Sequence, residues 1–176
     1  DITSPSVENF YGQANNNDAC PLDGSNYYVT TGDEITLTLE KSAVMQELND
    51  IDNAIKILFE NHDPDSANLE IVKRLVSLHL EKENFFDANF FNKILLREFS
   101  DDPSGYINAA IISLNDGSPD EAIKYLELNI DKYLDNYSAL YLLGTSYFQI
   151  NDLSSADKYL NLSLRVYPQS RSSKHT

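Results

Sequence analysis

The side chains that could do chemistry are few. The histidines are His62, His79 and His175. His62 lies in the turn-forming run Asn61-His62-Asp63-Pro64, and His79 falls on the apolar face of a helical pattern, where packing or a local hydrogen bond is expected. Cys20 has no neighbouring His or Lys in sequence to lower its pKa, so an inert thiol is expected. A single cysteine also rules out an intramolecular disulfide and any multi-cysteine metal site. The acidic, polar run from Asn15 to Gly24 invites a calcium reading. An EF-hand loop, however, needs oxygen ligands at alternate positions, and Cys20 and Leu22 occupy two of them. No nucleophile elbow, phosphate loop or paired-histidine zinc motif is present. The expectation is a chain that is not an enzyme and has no catalytic residue, metal or cofactor. Asn136-Tyr137-Ser138 and Asn161-Leu162-Ser163 spell glycosylation sequons, read here as coincidental.

Charge narrows the partners. The chain carries a formal charge of −15 and a sequence pI near 4.3. Such a surface repels phosphate backbones and anionic lipid and favours basic partners, which argues against nucleic-acid binding. With a mean hydropathy of −0.39, no apolar run approaches the ~20 residues a membrane helix needs. The sequence starts at Asp1 without Met, its first stretch is rich in Asn and Tyr, and Lys is scarce. These features lean towards an exported, cell-envelope protein (periplasmic or outer-membrane associated) over a cytoplasmic one, without fixing the compartment.

The elements that would position any site are set by a period. Ala54, Ala88, Ala122 and Ala156 recur at one constant interval along the chain. A fixed period of roughly 20–50 residues marks stacked helical or blade-like repeats rather than one enzyme core. The clearest copy runs from Tyr137 to Ser170. Leu140, Leu143, Gly144 and Tyr147 fall on one helical face, Asn151-Asp152 breaks the pattern, and Ala156, Tyr159, Leu160 and Leu164 resume it. Pro168 is expected to end the second helix. The copy from Pro103 to Asn136 contains Tyr106, Ala109, Ala110, Ala122 and Leu126, with Asn115 to Pro119 as its turn. The copy from Leu69 to Asp102 contains Val72, Leu75, Val76, His79, Phe85 and Ala88. In the copy from Ile35 to Asn68 the second half reads as helix, through Met45, Leu48, Ile51, Ala54, Ile55 and Leu58. Its first half is ambiguous. Ile35 to Leu39 alternates like a strand, Tyr27 to Asp33 admits a hairpin, and a helix from near Asp33 is the other reading.

Leu140, Leu143, Gly144, Tyr147, Ala156 and Pro168 resemble the tetratricopeptide repeat pattern, with Leu160 in the usual aromatic place and Ser163 in the second small one. The resemblance implies an all-α fold. Three helix–turn–helix repeats, and a fourth if Ile35 to Asn68 is helical, would form a right-handed solenoid preceded by an irregular N-terminal arm. The expected divisions are an arm over residues 1–34, repeats over 35–168 and a polar tail over 169–176. The arm's Phe10, Tyr11, Tyr27 and Tyr28 are expected to dock on the repeats.

In such solenoids the first helix of each repeat lines a groove. By resemblance the groove positions here are Glu70, Lys73, Ser77, Leu80 and Glu81, then Ser104, Ile107, Ile111, Leu114 and Asn115, then Ser138, Tyr141, Thr145, Phe148 and Gln149. Ile107, Ile111, Leu114, Tyr141 and Phe148 would make an apolar patch, with Thr145 among them, and Lys73 and Asn108 would fix polar ends of a ligand. The expected partner is an apolar or amphipathic peptide or helix of another protein, whose basic flanks an acidic rim would steer. Lys73 and Asn108 also match two of the five positions with which some family members grip a carboxylate tail. Ser77, Ser138 and Leu142 miss the other three, so no such clamp is expected. The implied function is an adaptor or assembly factor, of the kind found in pilus and secretion systems. The alternatives are a self-associating structural subunit and a secretion-type chaperone.

Overall fold

A computed structural model describes residues 31–63 and 66–172, with side chains from residue 34 to residue 167. The chain divides into two units, Asp1–Leu37 and Thr38–Thr176. Of the first, residues 31–37 form the opening turns of helix α1 (Thr31–Glu47). The second continues α1 and adds α2 (Ile51–Glu60), α3 (Leu69–Glu81), α4 (Phe85–Glu98), α5 (Ser104–Asn115), α6 (Pro119–Glu127), a short 3₁₀ turn (Ile130–Lys132), α7 (Tyr137–Gln149) and α8 (Leu153–Ser172). No strand occurs among the described residues, and no helix there is long and apolar enough to cross a membrane.

The turns inside the helix pairs repeat as strictly as the alanines. Asn49, Glu83, Gly117 and Asn151 all have positive φ, between 55° and 70°, and they recur at the same interval as the alanines. Each closes the first helix of a pair in the left-handed conformation. The next residue in every case is the N-cap of the second helix: Asp50, Asn84, Ser118 and the capping residue Asp152. Asp50, Asn84 and Asp152 accept backbone N–H bonds from Asn53, Asp87 and Ser155, which satisfies donors that a helix start leaves open. A second set punctuates the joints between pairs. Asn68 caps α3, Asp102 accepts from the Ser104 N–H at the start of α5, and Asn136 caps α7. The Asn of the first sequon is therefore a helix cap.

Packing runs between neighbours in sequence, and α3 also touches α5 as α5 touches α7. First helices thus stack on first helices, and the second unit is a solenoid of helix pairs. Ala54, Ala88, Ala122 and Ala156 are all buried. Gly144 shows how close α7 and α8 come: a Cβ there would lie 2.7 Å from Leu160 Cγ. Around α5 to α7 the core gathers Ala110, Ala122, Ile123, Leu126, Tyr133, Ala139 and Leu143. Between α4 and α5, the buried Asn92 Nδ2 donates to the Gly105 carbonyl at 2.8 Å.

One open reading is resolved and one expectation changes. Ile35 to Leu39 is helical, so of the two readings the helix from near Asp33 holds and the strand does not. The face that α1 buries is made of Thr38 and Ser42, one turn apart, and small polar residues carry no hydropathy signal. Thr31 to Asp33 is helical too, while Tyr27 to Val29 lie outside the described residues. Pro168 does not end α8, which continues to Ser172. A proline near a helix end forfeits one backbone bond without having to break the rest of the helix. The arm over residues 1–30, Cys20, the Asn15 to Gly24 run and His175 lie outside the described residues.

Candidate binding cleft

Helices α3 and α5 lie side by side because both are first helices of adjacent pairs. Their facing sides, with Leu39 of α1, enclose a cleft of about 470 Å³. Glu70, Lys73, Arg74, Ser77 and Leu80 line it from α3, and Ser104, Asn108 and Ile111 from α5. Leu39, Leu80 and Ile111 supply the apolar part. Lys73, Arg74 and Asn108 supply donors, which are uncommon on so acidic a chain.

The donors are held in place. Lys73 Nζ lies 3.4 Å from Glu70 Oε1 and 3.5 Å from Asp102 Oδ2. Asp102 in turn accepts from the Ser104 N–H at 2.9 Å and from its hydroxyl. Partial burial alone would raise the Asp102 pKa, but the Ser104 hydrogen bonds and the Lys73 charge outweigh it and hold the carboxyl below the usual range. Arg74 donates to Gln46 Oε1 of α1, and the Gln46 amide donates to Glu81. The Arg74 Nε is buried with no hydrogen-bond partner. The cleft therefore has a pre-set cation pair beside an apolar wall.

Residues 138–170, spanning α7 and most of α8, match the tetratricopeptide repeat family. No curated protein matches the chain. Among solved structures, a crystal structure of MamA superposes with a TM-score of 0.67 at 17% identity, covering 78% of this chain and 81% of that one. A MamA MSR-1 structure gives 0.63 at 14% identity, covering 81% and 82%. Identities this low carry the fold and leave the partner open. Among the described residues the fold is thus an all-α solenoid of tetratricopeptide type, an architecture that supports a protein–protein interaction module.

The expected contact residues fall into three groups. Lys73, Asn108 and Ile111 line the cleft together with Glu70, Ser77, Leu80 and Ser104. Ile107 and Leu114 are half-buried against the core around Tyr133 and do not line it. Tyr141, Thr145 and Phe148 lie further along, on α7. Tyr141 is 46% exposed and stacks on Tyr137 at 6.0 Å, and Tyr137 meets Tyr167 at 4.8 Å. Phe148 is 63% exposed, while the Thr145 hydroxyl donates to the Leu142 carbonyl at 2.9 Å. Sequence reasoning missed Arg74 and Leu39. Arg74 follows a groove position without occupying one, and Leu39 sits in the segment whose strand-like alternation left helix and strand both open.

His62 and His79 do not line the cleft. His79 is buried, stacks on Phe91 at 5.6 Å and lies 3.9 Å from Asp87 Oδ2. Burial lowers its pKa, the Asp87 charge partly restores it, and Lys82 lowers it again. His62 meets Phe91 edge-on at 6.0 Å. Among the described residues no group of three His, Cys, Asp or Glu could hold a metal ion.

Proposed function

We propose that the chain is an adaptor that holds a segment of another protein in the cleft between α3 and α5. The observation that carries this is the coincidence of the cleft lining with first-helix positions of two successive repeats, at Glu70, Lys73, Ser77 and Leu80 and at Ser104 and Ile111. An apolar side chain of the ligand enters between Leu39, Leu80 and Ile111. Lys73 and Asn108 meet its polar groups, and Tyr141 and Phe148 on α7 extend the contact beyond the cleft. Ile107 and Leu114 support that surface from beneath. The acidic rim steers basic residues flanking the bound segment. The adaptor acts by positioning its partner, with no chemical step.

Affinity capture with the intact chain, followed by titration of the partner recovered, tests the assignment. Ile111→Asp replaces part of the apolar wall with a carboxylate, so an apolar ligand side chain loses its contact there and binding is expected to weaken at least ~10-fold. The same affinity in wild type and Ile111→Asp would remove the cleft from consideration.

A further inference from the structure

Helix α4 buries one face, through Ala88, Phe91, Asn92 and Leu95, against α3 and α5. Its opposite face carries Phe86 and Phe90, one turn apart, at 85% and 60% exposure. Exposed aromatics on a helix can be incidental. Here the repeat itself supplies the comparison. At the places equivalent to Phe86 in the other helix pairs stand Asp52, Asp120 and Ser154, and at those equivalent to Phe90 stand Lys56, Lys124 and Lys158. All six are exposed. Three sister helices thus build the same fold with polar residues at both positions, so folding does not call for phenylalanine at either. An aromatic pair kept in water, where the architecture accepts Asp and Lys, is better explained by a contact outside the fold.

The rest of the stripe says what kind of contact. Lys93 and Arg97 continue the face of Phe86 and Phe90 at the next two turns, and both are exposed. Arg97 Nε donates to Glu98 at 2.7 Å, and Asp87 lies to one side, close to His79. No acidic residue stands in the stripe itself, although the chain has 28 Asp and Glu against 13 Lys and Arg. The apolar area also extends sideways. Phe90 meets Phe91 edge-on at 5.2 Å, and the exposed Phe59 of α2 meets the same ring at 6.5 Å.

We infer that the outer face of α4 is a second docking surface, distinct from the cleft, for a short amphipathic helix of another protein that is apolar at one end and acidic at the other. Its apolar residues pack on Phe86, Phe90 and Phe59, and its carboxylates meet Lys93 and Arg97. From residue 86 to residue 97 the stripe spans about 16 Å at roughly 1.5 Å per residue, which matches a helix of about three turns. Basic ligands, which the net charge attracts elsewhere, are repelled here.

A fluorescein-labelled helical peptide of about three turns, with Leu at its first two contact positions and Glu at the next two, serves as the probe. Fluorescence anisotropy with the intact chain is expected to show saturable binding. A peptide with Lys in place of Glu is expected to bind at least tenfold more weakly. Phe86→Asp with Phe90→Lys restores residues that the sister repeats carry, so the double variant is expected to keep its helical circular dichroism and melting temperature while losing at least tenfold in affinity. Lys93→Glu with Arg97→Glu is expected to lose as much, and Ile111→Asp in the cleft to lose nothing. The inference is overturned by equal binding of the double Phe variant, by no preference for the acidic peptide, or by the absence of saturable binding. It is also overturned if sedimentation reveals a dimer that Phe86→Asp with Phe90→Lys abolishes, since a second copy would then be the occupant.

Discussion

Tyr133 is fully buried in the core around α5 to α7, yet its hydroxyl has no hydrogen-bond partner. Burial, with smaller contributions from Tyr106 and Asp102, pushes its pKa up to about 12. Leaving a buried hydroxyl unpaired costs about 1–3 kcal/mol, so Tyr133→Phe is expected to be neutral or to stabilise by up to about 1 kcal/mol in chemical denaturation. His79 makes a different prediction. Its folded pKa lies below the ordinary value of 6.5, so the unfolded chain binds the proton more readily. The stability from keeping the ring neutral is fully present above pH 6.5 and is lost as pH falls through the folded pKa. Melting temperature should therefore drop between neutral pH and mildly acidic pH, and His79→Phe should flatten that part of the profile. The packing role of His79 was legible in the sequence, because its place in the repeat is an apolar one. The orphaned Tyr133 hydroxyl was not, because nothing local signals what a tyrosine will meet after the 3₁₀ turn carries it inward.

At the scale of the helix pair, the turn residue decides a good deal. Asn49, Gly117 and Asn151 suit positive φ, but Glu83 sits there at 55° with a full side chain. A non-glycine residue in that conformation costs roughly 1–2 kcal/mol, less for Asn. Glu83→Gly is expected to raise stability by about 1 kcal/mol in urea denaturation, and Glu83→Asn by somewhat less. The pairs with aligned alanines and turn residues could be read directly from the sequence. Helix α1 was legible only in part, because Thr alternates with Ile and Leu along Ile35 to Leu39 as in strands, while the buried face is the polar pair Thr38 and Ser42. Groove membership was legible only in part. The buried residues of α5 include Gly105, Ala109, Ala110 and Ser113, so neighbouring helices come close enough to cover Ile107 and Leu114 as well. A rule based on position alone cannot register how small the buried residues are.

At the scale of the whole chain, a charge of −15 coexists with local sites of the other sign. The Lys73–Arg74 pair lines the cleft and the Lys93–Arg97 pair ends the α4 stripe, so each proposed docking surface has local charge opposite to that of the whole chain. The cleft's polar end was legible at Lys73 and Asn108, whereas its depth depends on Leu39 from a segment the sequence left ambiguous. The architecture has one more consequence, and it is mechanical. Because each helix pair is gripped mainly by its neighbours, the principal contacts form no tie between distant parts of the repeat unit. Tension between a partner in the cleft and another on α4 would be borne by a few adjacent interfaces, leaving the pair α7 and α8 almost unloaded. Such a unit behaves as a row of coupled springs, each able to give without releasing the next.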